Sequence, residues 1–319
     1  VIVARDPFYI SRKGLNDFSG LSKSSRNGSL RVVQRTSSRR DSLSIGSLFA
    51  VSELTFGIAL MSKRVAADWP SVEKLLAATL QSVFHQSVPV RVIIACHEIP
   101  CVDEARDARV AIRQVDFDIP RFRWEMEIDR MRKVEVIGAA LRERGGGWMF
   151  LLDADDLVSR DLGKAILESG AKAVVVKRGY RLDARTGQYQ NLGKHWGKCG
   201  SCAAVRWDPS ELPVTPLADN PPLFHEYCDT RHYRLPQFFS GRGWSWKFLD
   251  PPLIAYVVNH GSNESDLLSA QSWKWRLYFK LQQRKQWTAE LDQQFGVNLQ
   301  VRTQGVSTGP NVLSTAFRG

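Results

Sequence analysis

No apolar run in the 319 residues approaches the roughly 20 that a membrane-spanning helix requires, so an integral helical membrane protein is not expected. The opening Val1-Ile-Val-Ala-Arg-Asp6 lacks the basic-then-apolar order of a secretory leader, and a cytoplasmic chain is the expectation. Cysteine is scarce and odd in number. Cys96, Cys101, Cys199, Cys202 and Cys228 are dispersed, which argues for reduced thiols over a disulfide framework. Cys199-Gly-Ser-Cys202 has the spacing of half a zinc site, but a second pair at suitable spacing is missing, so two small pocket-wall residues are the simpler reading. Internal repeats and nucleic-acid module motifs are also lacking, so no specific nucleic-acid partner is expected.

What is present is a globular composition: 43% hydrophobic and 24% charged residues supply both a core and a soluble surface. The net charge of +11 favours acidic partners such as phosphates. Much of that excess sits among Arg12, Lys13, Lys23, Arg26, Arg31, Arg35, Arg39 and Arg40, so it says little about an active site. Residues 1–50 are Ser/Arg-rich without apolar period and read as a flexible segment.

Order is expected from Leu54–Met61, an apolar run suited to a buried parallel strand. Pro70 can open a helix, since its missing N–H costs nothing there. Val72, Leu75, Leu76, Thr79, Leu80 and Val83 then repeat at helical spacing. Strands follow at Val90–Ala95 and Val110–Val115. A helix over Glu127–Arg144 places Met131, Val134, Ile137, Gly138 and Leu141 on one face, and Gly145–Gly147 stops it. Trp148–Leu152 is the next buried strand. Further strands are expected at Ala171–Val176, Ala203–Trp207 and, last, Leu253–Val258, with a Pro-rich loop over Pro209–Pro222. Helical pattern returns from Leu267 to Phe295, aromatic and basic around Trp273-Lys-Trp-Arg276. That segment suits either packing against the core or peripheral contact with a membrane surface.

This alternation predicts an α/β fold with a mostly parallel central sheet flanked by helices and a C-terminal helical extension. Three regions are expected: residues 1–50, a domain over 51–264, and a C-terminal helix and tail over 265–319. Ligands in such sheets bind beyond the carboxyl ends of the strands, which is where Asp153-Ala-Asp-Asp156 falls. Adjacent carboxylates repel unless a cation sits between them, and a hard divalent ion, Mg²⁺ or Mn²⁺, is the natural resident. A polar turn capped by Asp153 is the competing reading. His260, ending the last strand, would lie on the same rim and could complete a ligand set; a lone histidine is more often an ordinary hydrogen-bonded residue. Lys133 could hold a diphosphate, or could simply pair with Asp129 four residues earlier on the helix.

Taken together, these segments resemble the family 2 glycosyltransferases and their relatives of the GT-A (Rossmann-like) fold. Phe56–Ser62 looks like that family's first strand, Leu76–Gln86 like its first helix and Val92–Ala95 like its second strand. Asp129-Arg-Met-Arg-Lys133 resembles a donor-contacting segment, Phe150-Leu-Leu-Asp-Ala-Asp-Asp-Leu157 the metal-binding motif, and Gly200–Ala204 the acceptor-side strand. The likeness spans about residues 54–262.

The resemblance implies metal-dependent transfer of a sugar from a nucleotide-sugar donor, most commonly a UDP-sugar, to a saccharide or lipid-linked acceptor in polysaccharide or glycolipid synthesis. Asp155, Asp153 and His260 would serve the metal, Asp153 also the ribose, and Asp156 the sugar pocket. Ser62 would lie against the nucleoside, and Asp129 and Lys133 against the donor. Two departures stand out. Cys96-His-Glu98 replaces the acidic residue usual after the second strand. The usual Glu-Asp pair carrying the catalytic base is replaced by His225-Glu-Tyr-Cys-Asp229, where Glu226 or Asp229 could serve, or His225. With a carboxylate base, inversion is expected. Two other classes stay open: a phosphotransferase or phosphatase using the aspartates, and a non-catalytic nucleotide-sugar-binding protein.

Overall fold

The computed structural model describes residues 53–215, 222–260 and 284–299. The expected N-terminal segment and most of the aromatic helix after Leu267 lie outside them.

The first half of the domain alternates as its apolar pattern dictates. Strand β1 (Leu54–Ala59) leads to helix α1 (Trp69–Phe84), β2 (Val90–Cys96), β3 (Val110–Gln114), α2 (Arg123–Arg142) and β4 (Gly147–Leu151). Pro70 sits in the first turn of α1, and Asp68 caps it by accepting from the Ser71 N–H. β1 is wholly or partly buried along its length because both its faces are covered. Phe56 and Ile58 pack with Leu76, Leu80 and Val83 of α1, and on the other side of the sheet Ile93 and Met149 meet Val134, Ile137 and Leu141 of α2. Gly145–Gly147 all take positive φ, which ends α2 and turns the chain into β4.

The second half contains a two-residue strand β5 (Leu157–Val158), α3 (Leu162–Leu167), and the long β6 (Ala173–Asp183) with its hairpin partner β7 (Gln188–Leu192). Then come β8 (Ala203–Trp207), α4 (Pro222–Asp229), α5 (Leu235–Gly241), β9 (Trp246–Val258), β10 (Lys285–Gln286) and α6 (Ala289–Phe295). The sheet order is β10-β7-β6-β8-β4-β1-β2-β3, with β9 beside β6 and β5. Strands β3, β2, β1 and β4 run parallel, and β9 runs parallel to β6 along its length, while β8, β7, β10 and β5 pair antiparallel. The α/β expectation, a central sheet with long parallel stretches flanked by helices, therefore holds.

Two expectations change in extent. Leu253–Val258 is only the end of the thirteen-residue β9, whose start is masked in sequence by exposed charges and two prolines. The helix expected to run on to Phe295 is, within 284–299, a short strand and then a two-turn helix. Thr288 caps α6 by accepting from Leu291 N–H. Trp287 anchors the turn between Tyr180, Tyr189 and Phe295. No described helix is long and apolar enough to cross a membrane.

Topology fixes the rim. β8 and β6 reverse direction in turn, so β6 and its parallel neighbour β9 point the same way as β4. The C-terminal ends of β1, β2 and β4 thus share one edge of the sheet, and the pairing of Leu157 in β5 with Ala255 joins the end of β9 to the segment that follows β4.

Candidate functional site

Asp153–Asp156 leaves the C-terminal end of β4 and is pinned from two sides. Thr79 Oγ1 of α1 donates to the Ala154 carbonyl at 2.9 Å, and the Asp153 N–H donates to Ser201 Oγ at 2.9 Å. Asp156 is fully buried. It accepts from the Val257 N–H of β9 at 3.2 Å and from the Cys199 thiol at 3.0 Å. Burial, then the neighbouring Asp155 and Asp153, push its carboxyl well above the usual range. Burial also raises Asp153, with Asp155 adding to the effect and Arg130 opposing it. Carboxyl and thiol atoms of Asp153, Asp156 and Cys199 lie within 4.8 Å of one another.

His260 closes this cluster from the end of β9. Its Nε2 is 2.8 Å from Asp155 Oδ2, and its side chain is almost wholly buried. The preceding Asn259 holds a left-handed φ of 63°, a conformation asparagine tolerates better than most residues. Asn259 Nδ2 donates to Asp183 Oδ2 at 2.7 Å, and its carbonyl accepts from Arg185 Nε at 3.0 Å, which fixes the turn that presents His260. The acidic motif and the late histidine thus meet across 105 residues of sequence.

The donor set can be tested against a divalent cation. Two neighbouring ligands of an octahedral ion at about 2.1 Å would stand about 3 Å apart, and the Asp155–His260 separation is 2.8 Å. Carboxylates with an imidazole suit Mn²⁺ better than Mg²⁺. Asp155 and His260 meet this spacing as a pair, while the three groups whose ligand atoms all lie within 4.8 Å of one another are Asp153, Asp156 and Cys199.

Lys133 and Asp129 form the i, i+4 pair that their spacing allowed, though buried. Lys133 is fully buried, and its ammonium donates to the Leu60 carbonyl at 2.8 Å and to Asp129 Oδ2 at 2.6 Å. His97 Nε2 meets Asp129 Oδ1 at 2.7 Å. Burial lowers the Lys133 pKa against the pull of Asp129. For Asp129, burial acts upward but is outweighed by the bonds from His97 and Lys133, so its carboxyl is lowered. Both charges of the pair thus have partners within the protein at the ends of β1 and β2. Ser62 is likewise buried, donating to both carboxylate oxygens of Glu98 at 2.9–3.0 Å, while Lys63 N–H bonds Glu98 Oε2 at 2.9 Å. Glu98 thus ties the β1 and β2 ends together. Above them opens a cleft of about 1070 Å³ walled by Arg64, His97, Glu98, Gln114, Phe117 and Phe122, among others.

Several side chains not anticipated from sequence surround Asp153. Arg130, on α2, acts on it most strongly; burial works against the guanidinium's charge, but Asp153 and Glu127 more than offset this and its pKa is raised. Gly200 lies against both groups: a Cβ there would lie 3.1 Å from Asp153 Oδ2 and 3.9 Å from an Arg130 nitrogen. His232, in a short 3-10 turn between α4 and α5, bonds through Nδ1 to the Trp196 carbonyl at 2.7 Å. A carbonyl only accepts, so Nδ1 carries the hydrogen and Nε2 keeps a lone pair in the neutral ring. Burial lowers the His232 pKa and favours that neutral form. A basic residue on a helix and a histidine in a turn carry no pattern of their own, so periodicity could not single them out.

Helix α4 turns its base candidates outward. Phe224 and Tyr227 are buried, and Cys228 and Tyr227 are the α4 residues whose groups act on Arg130. Glu226 lies on the opposite, exposed side and forms an ion pair with Arg242; Asp229 is exposed at the helix end. His225 Nδ1 lies 3.0 Å from Glu135.

No protein-family model matches the chain, and no curated protein matches it. Solved structures align loosely. A 4-diphosphocytidyl-2C-methyl-D-erythritol synthase gives a TM-score of 0.36 at 9% identity, over 69% of this chain and 96% of that one. A nucleotide-diphospho-sugar transferase candidate from Desulfovibrio desulfuricans G20 gives 0.31 at 9%, over 72% and 94%. A CMP:2-keto-3-deoxy-manno-octonic acid synthetase complexed with CTP gives 0.32 at 8%, over 71% and 98%. Similarity this loose assigns neither family nor activity, and the chemistry rests on the side chains above.

Proposed function

We infer that the protein is a metal-dependent glycosyltransferase acting on a nucleotide-sugar donor. The observation that carries this reading is the meeting of Asp155 and His260 at 2.8 Å on the rim beside Asp153 and Arg130. Carboxylates from the loop after β4 and an imidazole from the end of β9 converge where an α/β sheet binds its ligand.

The cleft at the ends of β1–β3 suits the nucleoside, with Phe117 and Phe122 for the base and Gln114 and Glu98 as polar partners. β1 lies between β2 and β4, so the acidic loop is about two strand spacings, ~10 Å, from the middle of that cleft. This is the reach from a nucleoside to its diphosphate. Arg130, close to Asp153, would offer the diphosphate a planar, permanently charged donor set. Asp153, Asp155 and His260 would hold Mn²⁺ or Mg²⁺, which when bound supplies Lewis-acid neutralisation of the leaving diphosphate.

Transfer then requires an acceptor hydroxyl oxygen to bond the anomeric carbon as the bond from that carbon to the diphosphate oxygen breaks. The hydroxyl proton needs a base. Glu226 and Asp229 are the carboxylate candidates from sequence, and His232, held through Nδ1 by the Trp196 carbonyl and kept neutral by burial, is a third candidate.

The test is a hydrolysis and transfer assay with a panel of nucleotide sugars and Mn²⁺. Released nucleoside diphosphate, lost in Asp155→Ala and in the metal-depleted protein, supports the reading. An active, metal-free Asp155→Ala variant overturns it. Free phosphate from a monoester would favour the phosphatase alternative, and pyrophosphate released from a nucleoside triphosphate would indicate nucleotidyl transfer. Comparing His232→Gln with Glu226→Gln and Asp229→Asn identifies the base: the true base variant should lose roughly 10²–10⁴-fold in turnover.

A further inference from the structure

The loop from His195 to Ser201 touches the acidic cluster with one end and an aromatic surface with the other. At one end, Cys199 donates to Asp156, Gly200 lies against Asp153 and Ser201 accepts from the Asp153 N–H. At the other, the Trp196 carbonyl accepts from His232 while its ring meets Phe248 of β9, with centroids 5.9 Å apart. Trp246 packs edge-on to Phe248 at 5.0 Å. Trp246 and Phe248 alternate along β9 and so share one face of the strand, and Asp250 follows at the register shift beyond them. Phe248 is 39% exposed, and the two tryptophans are half-buried.

Charged groups rim this surface. Lys177 Nζ bonds Asp250 at 2.9 Å and lies 6.0 Å from the Phe248 ring centre, and Arg178 approaches the same carboxylate at 3.9 Å. All three rim side chains are about half exposed.

A pyranose ring fits this pattern. One of its faces is a patch of C–H groups, which stack on the negative face of an aromatic ring. Its hydroxyls project sideways and require polar partners such as Lys177, Arg178 and Asp250. A purely apolar partner would instead have to bury those three charged groups, at a cost the aromatic contacts would have to exceed. Continuity settles the direction: the same seven-residue loop that floors the carboxylate site presents Trp196.

We propose that Trp196 and Phe248, with Trp246 behind them, form a stacking platform for a pyranose residue of the acceptor, making the acceptor a saccharide chain. This rests on the glycosyltransferase reading above. The chain would enter over the platform and extend its reactive hydroxyl past His232 toward Asp153.

The proposal can be tested on the full chain without knowing the natural acceptor. Saturation-transfer NMR and tryptophan fluorescence titration would use cello-, chito-, malto-, manno- and xylo-tetrasaccharides as probes. At least one probe should bind, with saturation concentrated on ring C–H protons. Its affinity should fall about tenfold or more in Trp196→Ala and in Phe248→Ser, and be largely retained in Trp196→Phe. Because His232 bonds the Trp196 backbone carbonyl, removing the indole leaves that contact in place. Phe248→Ser, at an exposed strand position, serves as the check should Trp196→Ala fold poorly. Failure of every probe to bind the wild-type protein, or binding indifferent to both substitutions, overturns the platform. Separate titration of wild-type protein with UDP and Mn²⁺ distinguishes the two readings: loss of nucleotide binding alone would sink the donor site, not the platform.

Discussion

At the scale of single residues, the buried histidine His195 shows how burial converts into pH dependence. Its Nε2 lies 3.0 Å from the Ser201 carbonyl and must donate to it, while its Nδ1 has no partner among the described residues. Burial pulls its pKa down to about 4. In the unfolded chain the imidazole returns to about 6.5. The folded state therefore binds fewer protons between these values, so the stability is fully present above about pH 6.5 and is lost as pH falls toward 4. Over that window His195 should account for about 3 kcal/mol. Urea unfolding at pH 7 and pH 4 should show the wild type losing about that much more than His195→Gln; equal losses would mean the ring is not held neutral. The buried Lys133–Asp129 pair belongs to the same scale. Lys133→Ala leaves a carboxylate buried with His97 as its remaining bonded side chain, and should cost about 3–5 kcal/mol by chemical denaturation.

At the scale of elements, the site depends on how α4 seats against α2. Gly138 allows it: a Cβ there would meet Phe224 Cζ at 2.5 Å and Pro213 Cδ at 3.1 Å. Alanine is about 1 kcal/mol better than glycine inside a helix, so a free-standing α2 would gain from Gly138→Ala. Here the fully buried Phe224 ring would have to move, and a net loss of about 1–2 kcal/mol is expected in thermal or urea unfolding. A gain would show that α4 is loosely seated. The parallel elements were legible in sequence because burial on both faces leaves continuous apolar runs such as Leu54–Ala59 and Val90–Cys96. The start of β9, the β7 hairpin strand and α4 were not, because their partly exposed positions alternate polar and apolar residues without a sustained period. Asp153–Asp156 and His260 were legible as strand-end residues. Arg130 and His232 carried no such mark.

At the scale of the whole molecule, ligand binding should register as stability. Anything that binds the folded state alone stabilises it by about 2.7 kcal/mol at a hundredfold excess over its Kd. For a domain of this size that corresponds to a rise in Tm of about 5–10 °C. UDP with Mn²⁺ should produce such a shift in thermal scanning of the wild type, and Asp155→Ala should show little of it. A shift that persists undiminished in Asp155→Ala would separate nucleotide binding from the acidic loop. The net charge of +11 favours an anionic ligand over the whole surface, so the shift should be compared at low and high salt.

The sequence by itself determined the layered α/β plan, the burial of its central strands and the placing of an acidic cluster at a strand end. These follow from local periodicity and from the covalent order of the chain. Tertiary structure alone decided which groups share the site. It set Asp155 against His260, turned Glu226 away to Arg242, buried Lys133 and brought Arg130 and His232 around Asp153. Such encounters depend on strand direction, helix rotation and packing between segments a hundred residues apart, and no local pattern encodes them.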